Sequence, residues 1–311
     1  MTIERGTERG GTVTTVPTDE ELARSMAGEF RSGYVTAAGC RLHHVAGGEG
    51  DPLVLLPGWP QTWWEYHEVM PELASAGRRV IAVDLPGMGG SDKPESGYDK
   101  KSMAGVIREF VRVLGYDEVD IAGHDIGSQV AFSFAANHPE ATRKVALLDV
   151  LHPDPSLREI PILPQRDSSF FPWWFAFNHV DGLPERLLAG RVRYLLDWVF
   201  DNFTENPAAV TELDRAVFAD AYEREGAISG SNAWYATWDQ DIADLGTYDK
   251  VTAPMLGLVS NMADGLFAAQ MRATLPEQGT DVEVVVIPDV GHYFVEEAPR
   301  TVVDELNRFF G

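Results

Sequence analysis
The apolar run Val119-Asp-Ile-Ala122 ends in Gly123-His124-Asp125-Ile126-Gly127, and a helix-like run rich in Ala and Phe follows at once, to Ala135. Few local patterns restrict a chain so tightly. Strand, sharp turn and helix make a nucleophile elbow, whose glycines permit a crowded turn that pushes the middle side chain into the open. The apex here is Asp125 rather than Ser. A carboxylate attacking an acyl group would give an anhydride, a poor route to ester hydrolysis. Attack at an sp3 carbon bearing a leaving group instead gives an alkyl-enzyme ester that water can hydrolyse. Strained epoxides and haloalkanes or haloacids fit that chemistry. The plainer alternative is an ordinary strand-to-helix turn whose Asp caps the helix.

The rest of the chain supplies a frame for such an elbow. Residues 1 to about 16 are polar and rich in Gly and Thr and read as a mobile arm, and Thr18-Asp-Glu-Glu21 has capping-box spacing for a short helix through Met26. Val35 to Val45 reads as a hairpin turning at Ala38-Gly39. Buried strands are expected at Pro52–Leu56, Arg79–Asp84, Lys144–Asp149, Pro254–Val259 and Val282–Ile287. Helices are expected over 101–114 and from Pro299 to Phe310. Short apolar strands alternating with helices predict an α/β fold, a mostly parallel sheet covered on both faces. From Leu151 to about Ala243 the texture changes to Trp, Phe and Pro without strand-like runs, which predicts an inserted helical cap. The expected organisation is an arm and short helix at 1–28, a core at 29–150 and 244–311, and a cap at 151–243.

A carboxylate nucleophile needs partners. His292, in Asp289-Val-Gly-His-Tyr-Phe after the last strand, is placed to act as base on the hydrolytic water. Two acids could hold that histidine. Asp149 ends the strand after the elbow helix, and Asp264 follows the next strand; the apolar strand before Asp149 favours it slightly. Backbone N–H groups of Trp59 and Ile126 could form an oxyanion hole. The cap offers indole and phenol donors, Trp173, Trp174 and Tyr235, for an opening epoxide oxygen or a departing halide.

These residues together resemble an α/β-hydrolase of the epoxide hydrolase branch, close to the fluoroacetate dehalogenases, over roughly residues 30 to 311. The resemblance is carried by Pro57-Gly-Trp-Pro-Gln61, Asp84-Leu-Pro-Gly-Met-Gly-Gly-Ser-Asp-Lys-Pro94, Gly123-His-Asp-Ile-Gly127 and Gly291-His292. It implies the α/β-hydrolase fold, Asp125 as nucleophile, His292 as base and a helical cap over the site. It implies Asp264 as the acid by the usual epoxide hydrolase pattern, and Asp149 by that of fluoroacetate dehalogenases. Tyr235 falls where the family has its second cap tyrosine. The departures are also informative. Pro57 replaces the usual His of a His-Gly-x-Pro motif, and Trp174 stands for the first cap tyrosine. Trp173 takes the place of a His that helps hold fluoride in fluoroacetate dehalogenases, and Ile126 that of the Trp that follows the nucleophile in haloalkane dehalogenases. The chain is also similar to epoxide hydrolases of actinomycete polyketide pathways, which implies a bulky polycyclic epoxide and a role in natural-product biosynthesis.

Composition bounds the partners. A net charge of -23 opposes binding to nucleic acid or an anionic membrane. The single cysteine, Cys40, leaves no internal disulfide and fits a reducing cytoplasm. The expected partners are a small-molecule epoxide and water, with no metal or organic cofactor; homodimer formation is left open. A hydrolase fold that binds a ligand without turnover is the rival from another class, and the complete set of nucleophile, base and acid argues against it.

Overall fold
The computed structural model describes residues 15–163 and 171–311. Eight strands form one sheet in the order β1-β2-β4-β3-β5-β6-β7-β8. They are β1 (Arg31–Ala37), β2 (Cys40–Gly47), β3 (Asp51–Leu56), β4 (Arg78–Val83), β5 (Val119–His124), β6 (Thr142–Leu148), β7 (Met255–Ser260) and β8 (Val282–Ile287). The hairpin β1–β2 is antiparallel, and β2 also pairs antiparallel with β4; every other pairing is parallel. The hairpin turns at Ala38 and Gly39, both at positive φ, with Ala37 opposite Cys40. Two successive positive-φ residues give a turn whose twist matches that of the flanking strands. The Cys40 thiol is buried against this hairpin, and burial pushes its pKa up to about 11.

Around the sheet lie α1 (Asp19–Ser25), α2 (Val69–Ser75), α3 (Lys100–Val113), α4 (Ile126–Asn137), α11 (Leu266–Gln278), α12 (Phe294–Glu297) and α13 (Pro299–Phe310), and between β6 and β7 come the cap helices α5 (Trp173–Asn178), α6 (Leu183–Leu188), α7 (Val192–Phe203), α8 (Glu212–Glu223), α9 (Ala227–Ala236) and α10 (Trp238–Leu245). Thr18 caps α1 with the reciprocal Thr18–Glu21 hydrogen bonds that the sequence suggested. The arm expected at residues 1–16 falls, apart from its last two residues, outside the described residues. Among the described residues no helix is long and apolar enough to cross a membrane. β5 is buried at every position, as a central strand covered on both faces must be.

The carboxyl half of the cap is fastened to the core. Lys100, wholly buried at the start of α3, donates to the Trp234 carbonyl at 2.6 Å and to Asp241 Oδ2 at 2.8 Å. Loss of either partner would strand a buried charge, which costs about 3–5 kcal/mol in proteins. The Trp234 indole donates to the Pro86 carbonyl at 2.9 Å, and α9 approaches so closely that a methyl on Gly230 would meet Gly87 Cα at 2.9 Å. Trp234 and Thr237 thus face the core, and the residues between and beyond them, Tyr235 and Trp238, face a cavity beneath the cap.

Candidate active site
Asp125 sits between β5 and α4 with φ 48° and ψ -118°. That conformation is sparsely populated for a residue with a Cβ and costs on the order of 1–3 kcal/mol. Glycine tolerates the crowding around it. A methyl at Gly123 would lie 2.1 Å from the Gly127 carbonyl oxygen, and one at Gly127 would lie 2.1 Å from that of Leu56. The outcome is a carboxylate presented at the sheet's carboxyl edge. The Trp59 amide donates to Asp125 Oδ2 at 2.9 Å, so one oxygen is already held, and Oδ1 faces His292 Nε2 at 4.0 Å. Ile126, the first residue of α4, lines the same cavity.

Of the two acids, Asp149 meets the histidine. It follows β6 at φ 66°, is buried, and its Oδ2 lies 2.6 Å from His292 Nδ1 while Oδ1 accepts from the Ser260 amide at 2.8 Å. An acceptor at Nδ1 fixes the tautomer and leaves Nε2 unprotonated towards Asp125. The backbone of Asp264 lies in a turn, Ala263–Gly265, after β7, and its side chain is outside the described residues. The His292 loop is itself clamped, because the His292 amide donates to the Phe203 carbonyl of the cap at 2.7 Å.

Beneath Asp125, Glu65 and His124 brace the loop that follows Pro57. Glu65 Oε2 accepts from the Gly58 amide at 2.9 Å, which sets the loop whose next amide holds Asp125. Glu65 Oε1 stands 3.1 Å from His124 Nδ1, and His124 Nε2 is 2.9 Å from the His292 carbonyl oxygen. Burial alone would lower the His124 pKa, but the charges of Glu65, Asp125 and Asp149 outweigh it and raise the value to about 9. A raised pKa favours the imidazolium, which sets its charge beside Glu65 and donates from Nε2 to the His292 carbonyl. A histidine raised on folding stabilises the fold fully below its unfolded pKa, near 6.5, and that contribution is lost as pH climbs through its folded value. Thermal unfolding should show the Tm falling as pH rises from about 6.5 to 9, with a shallower fall in Glu65→Gln; equal slopes would contradict the pairing.

The cap contributes neutral donors. Tyr235 is buried, and burial together with the Asp125 charge keeps its phenol protonated well above the ordinary range. Trp174, whose indole can only donate, lines the same cavity as Tyr235. Trp173 does not join them. Successive residues on a helix point about 100° apart, so only one of the pair can face the site; the Trp173 ring packs against Phe177 and Trp198 and is absent from the described cavity lining. The cavity encloses about 940 Å³, open solvent at its mouth included, and Asp125, Asp149 and His292 share it with Leu151, Leu157, Phe175, Val199, Phe203 and Tyr293 among others.

Known proteins resemble the chain over most of its length. The family model for the alpha/beta hydrolase fold matches residues 51–178. A soluble epoxide hydrolase of Corynebacterium sp. (strain C12) is 35% identical over 296 residues, covering 92% of this chain and 99% of that protein. The chain belongs to the α/β-hydrolase family, in its epoxide hydrolase branch. A solved structure, Cfl2 from Burkholderia cenocepacia, superposes on the hydrolase with a TM-score of 0.83 at 32% identity, covering 91% of this chain and 96% of its own. A fluoroacetate dehalogenase of Burkholderia sp. is 24% identical over 291 residues, 90% of this chain and 93% of that protein.

Several residues of the hydrolase's site escape a reading of motifs. Glu65 and His124 are 59 positions apart and meet only through the sheet. Gln129 and Trp238 line the cavity yet belong to no motif. For Trp238 a signal exists, since it stands three residues after Tyr235, the spacing that places two side chains on one helical face. Gln129 carries the equivalent signal at four residues from Asp125.

Proposed function
We propose that this hydrolase converts an epoxide to a vicinal diol through a covalent ester on Asp125. The observation that carries the reading is the opposition of charges and donors. A carboxylate backed by a His292–Asp149 pair faces a neutral phenol and indole across an apolar cavity. Asp125 Oδ1 forms a bond to an epoxide carbon. The ring C–O bond breaks, and its electron pair goes to the ring oxygen, which takes hydrogen bonds from Tyr235 and Trp174. Oδ2, already held by Trp59, becomes the ester carbonyl. Water loses a proton to His292 Nε2 and adds to that carbonyl carbon, and the amides of Trp59 and Ile126 hold the oxyanion. Collapse passes the His292 proton to the departing oxygen and leaves a carboxylic acid, whose proton goes to the oxygen freed by ring opening, so that the diol is released and the carboxylate restored. Epoxide and water are the only reactants consumed.

The aromatic cap suits an epoxide with a flat, bulky body, such as a polycyclic polyketide. The alternative substrate is a haloacid, with the same donors receiving halide, and the dehalogenase relative favours it. Against it, a haloacid carries a carboxylate, and among the described residues that line the cavity none is Lys or Arg. Incubation with an aryl epoxide and, separately, with fluoroacetate tests the choice. Diol formation without halide release is expected; fluoride release with no diol would overturn the epoxide reading.

A further inference from the structure
Most polar side chains that line the cavity are already engaged. Asp149 holds His292, Asp154 accepts from the Ser156 amide at 2.7 Å, and Gln270 donates to Ser156 Oγ at 3.1 Å. His152 is bracketed by Ser133 Oγ and the Pro153 carbonyl, each at 3.1 Å. Two buried polar atoms of the lining have no partner among the described residues: Gln129 Oε1 and Trp238 Nε1. Gln129 is 4% exposed and lies one turn beyond Asp125 on α4, where its backbone N–H donates to the Asp125 carbonyl oxygen at 3.2 Å. Trp238 opens α10, its ring boxed in by Phe175 at 4.6 Å and Tyr235 at 5.1 Å between centroids. Buried polar atoms in proteins are paired in about nine cases of ten, and leaving one unpaired costs about 1–3 kcal/mol. The orphan acceptor belongs to the core helix α4 and the orphan donor to the cap helix α10, and both residues line the cavity.

We propose that Gln129 and Trp238 form a recognition site for oxygenated epoxides, in which Gln129 binds a hydroxyl carried by the substrate and Trp238 donates to a substrate oxygen. The reading rests on the proposed epoxide hydrolysis for its chemistry and extends it to substrate class. A hydroxyl is the group that fits Gln129, because it both donates and accepts and so satisfies either end of the amide. Indole only donates, so its partner must be an acceptor oxygen. A plain hydrocarbon epoxide would leave both atoms unpaired, and sites built around such groups discriminate strongly against analogues that lack the partner.

The test compares styrene oxide with its ring-hydroxymethyl isomers, in the wild-type protein and in Gln129→Leu and Trp238→Phe. The wild type is expected to favour at least one hydroxylated isomer in kcat/KM by about tenfold or more, and each variant to reduce that ratio by about tenfold. Calorimetric Kd values for the corresponding diols supply a readout that needs no turnover. Epoxide turnover without discrimination in wild type, or ratios unchanged in both variants, would overturn the proposal and leave the hydrolase reading intact. Preferential binding of hydroxylated diols, lost in the variants but without turnover of any epoxide, would keep the recognition site and remove the epoxide reaction. Neither binding nor turnover would overturn both. The two substitutions lie on different elements, so failure of one variant to fold leaves the other informative.

Discussion

His292→Gln, incubated with an aryl epoxide, is expected to gain the whole mass of that epoxide, on the peptide that contains Asp125. The first half of the reaction needs only the carboxylate and the donors opposite it, and the second half needs a base on water. In the structure Nε2 of His292 stands 4.0 Å from Asp125 Oδ1, close enough to direct a water at the ester formed there. Removal of a general base slows a step by about 10²–10⁴-fold, so the ester should outlast the time needed for intact-mass measurement. The substitution is mild elsewhere. The amide nitrogen that donates to Phe203 and the carbonyl that meets His124 belong to the backbone, and both survive. Asp125→Ala should show no mass gain and no diol, because the attacking oxygen is gone. Ring opening expels nothing, so the full epoxide mass distinguishes this reaction from a dehalogenation, in which a haloacid would add its mass less hydrogen halide. A His292→Gln protein that turns over at the wild-type rate would remove the histidine from the mechanism.

The parts of this site legible in the sequence are those written in contiguous residues. The elbow can be read because its glycines, its apex and its flanking strand and helix all lie within about 17 positions, and each has a local physical reason to be there. The sheet is legible for the same cause, since buried strands are continuous apolar runs and the cap announces itself as a change of texture. What remained open depends on how separate elements meet. Asp149 and Asp264 follow β6 and β7, which are neighbours in the sheet, so both start near the same histidine loop. The choice falls to backbone direction. A left-handed turn at Asp149 and the Ser260 amide aim its carboxylate at His292 Nδ1, and no local pattern encodes that aim. Trp173 and Trp174 are adjacent in sequence and chemically alike, and only the phase of α5 against the cavity separates them. Glu65 reaches His124 from a distant stretch of sequence and also accepts from the Gly58 amide, so it ties the loop after Pro57 to the end of β5. It sits in a short helical turn, Trp63–Tyr66, that no motif marks.

Asp149→Asn is expected to lower steady-state kcat by about 10³–10⁴-fold, the loss seen when a buried acid that orients a catalytic histidine becomes an amide. The Asn side chain keeps the volume of Asp and can keep the bond from the Ser260 amide through its carbonyl. It then presents an NH2 group to His292 Nδ1, where a carboxylate oxygen now sits at 2.6 Å. Two donors cannot face each other, so the imidazole must take the other tautomer and present N–H to the water that it should deprotonate. The imidazolium formed during hydrolysis also loses its counter-charge. The attack of Asp125 is untouched by either change, so the variant should resemble His292→Gln and hold the ester rather than fail to form it. Single-turnover kinetics separates the two steps, with alkylation close to wild type and hydrolysis carrying the loss. Asp264→Asn should leave kcat within about threefold, because Asp149 already occupies the Nδ1 position. A large loss in Asp264→Asn together with a small one in Asp149→Asn would transfer the role to Asp264 and mean that the His292 loop turns towards β7 during catalysis.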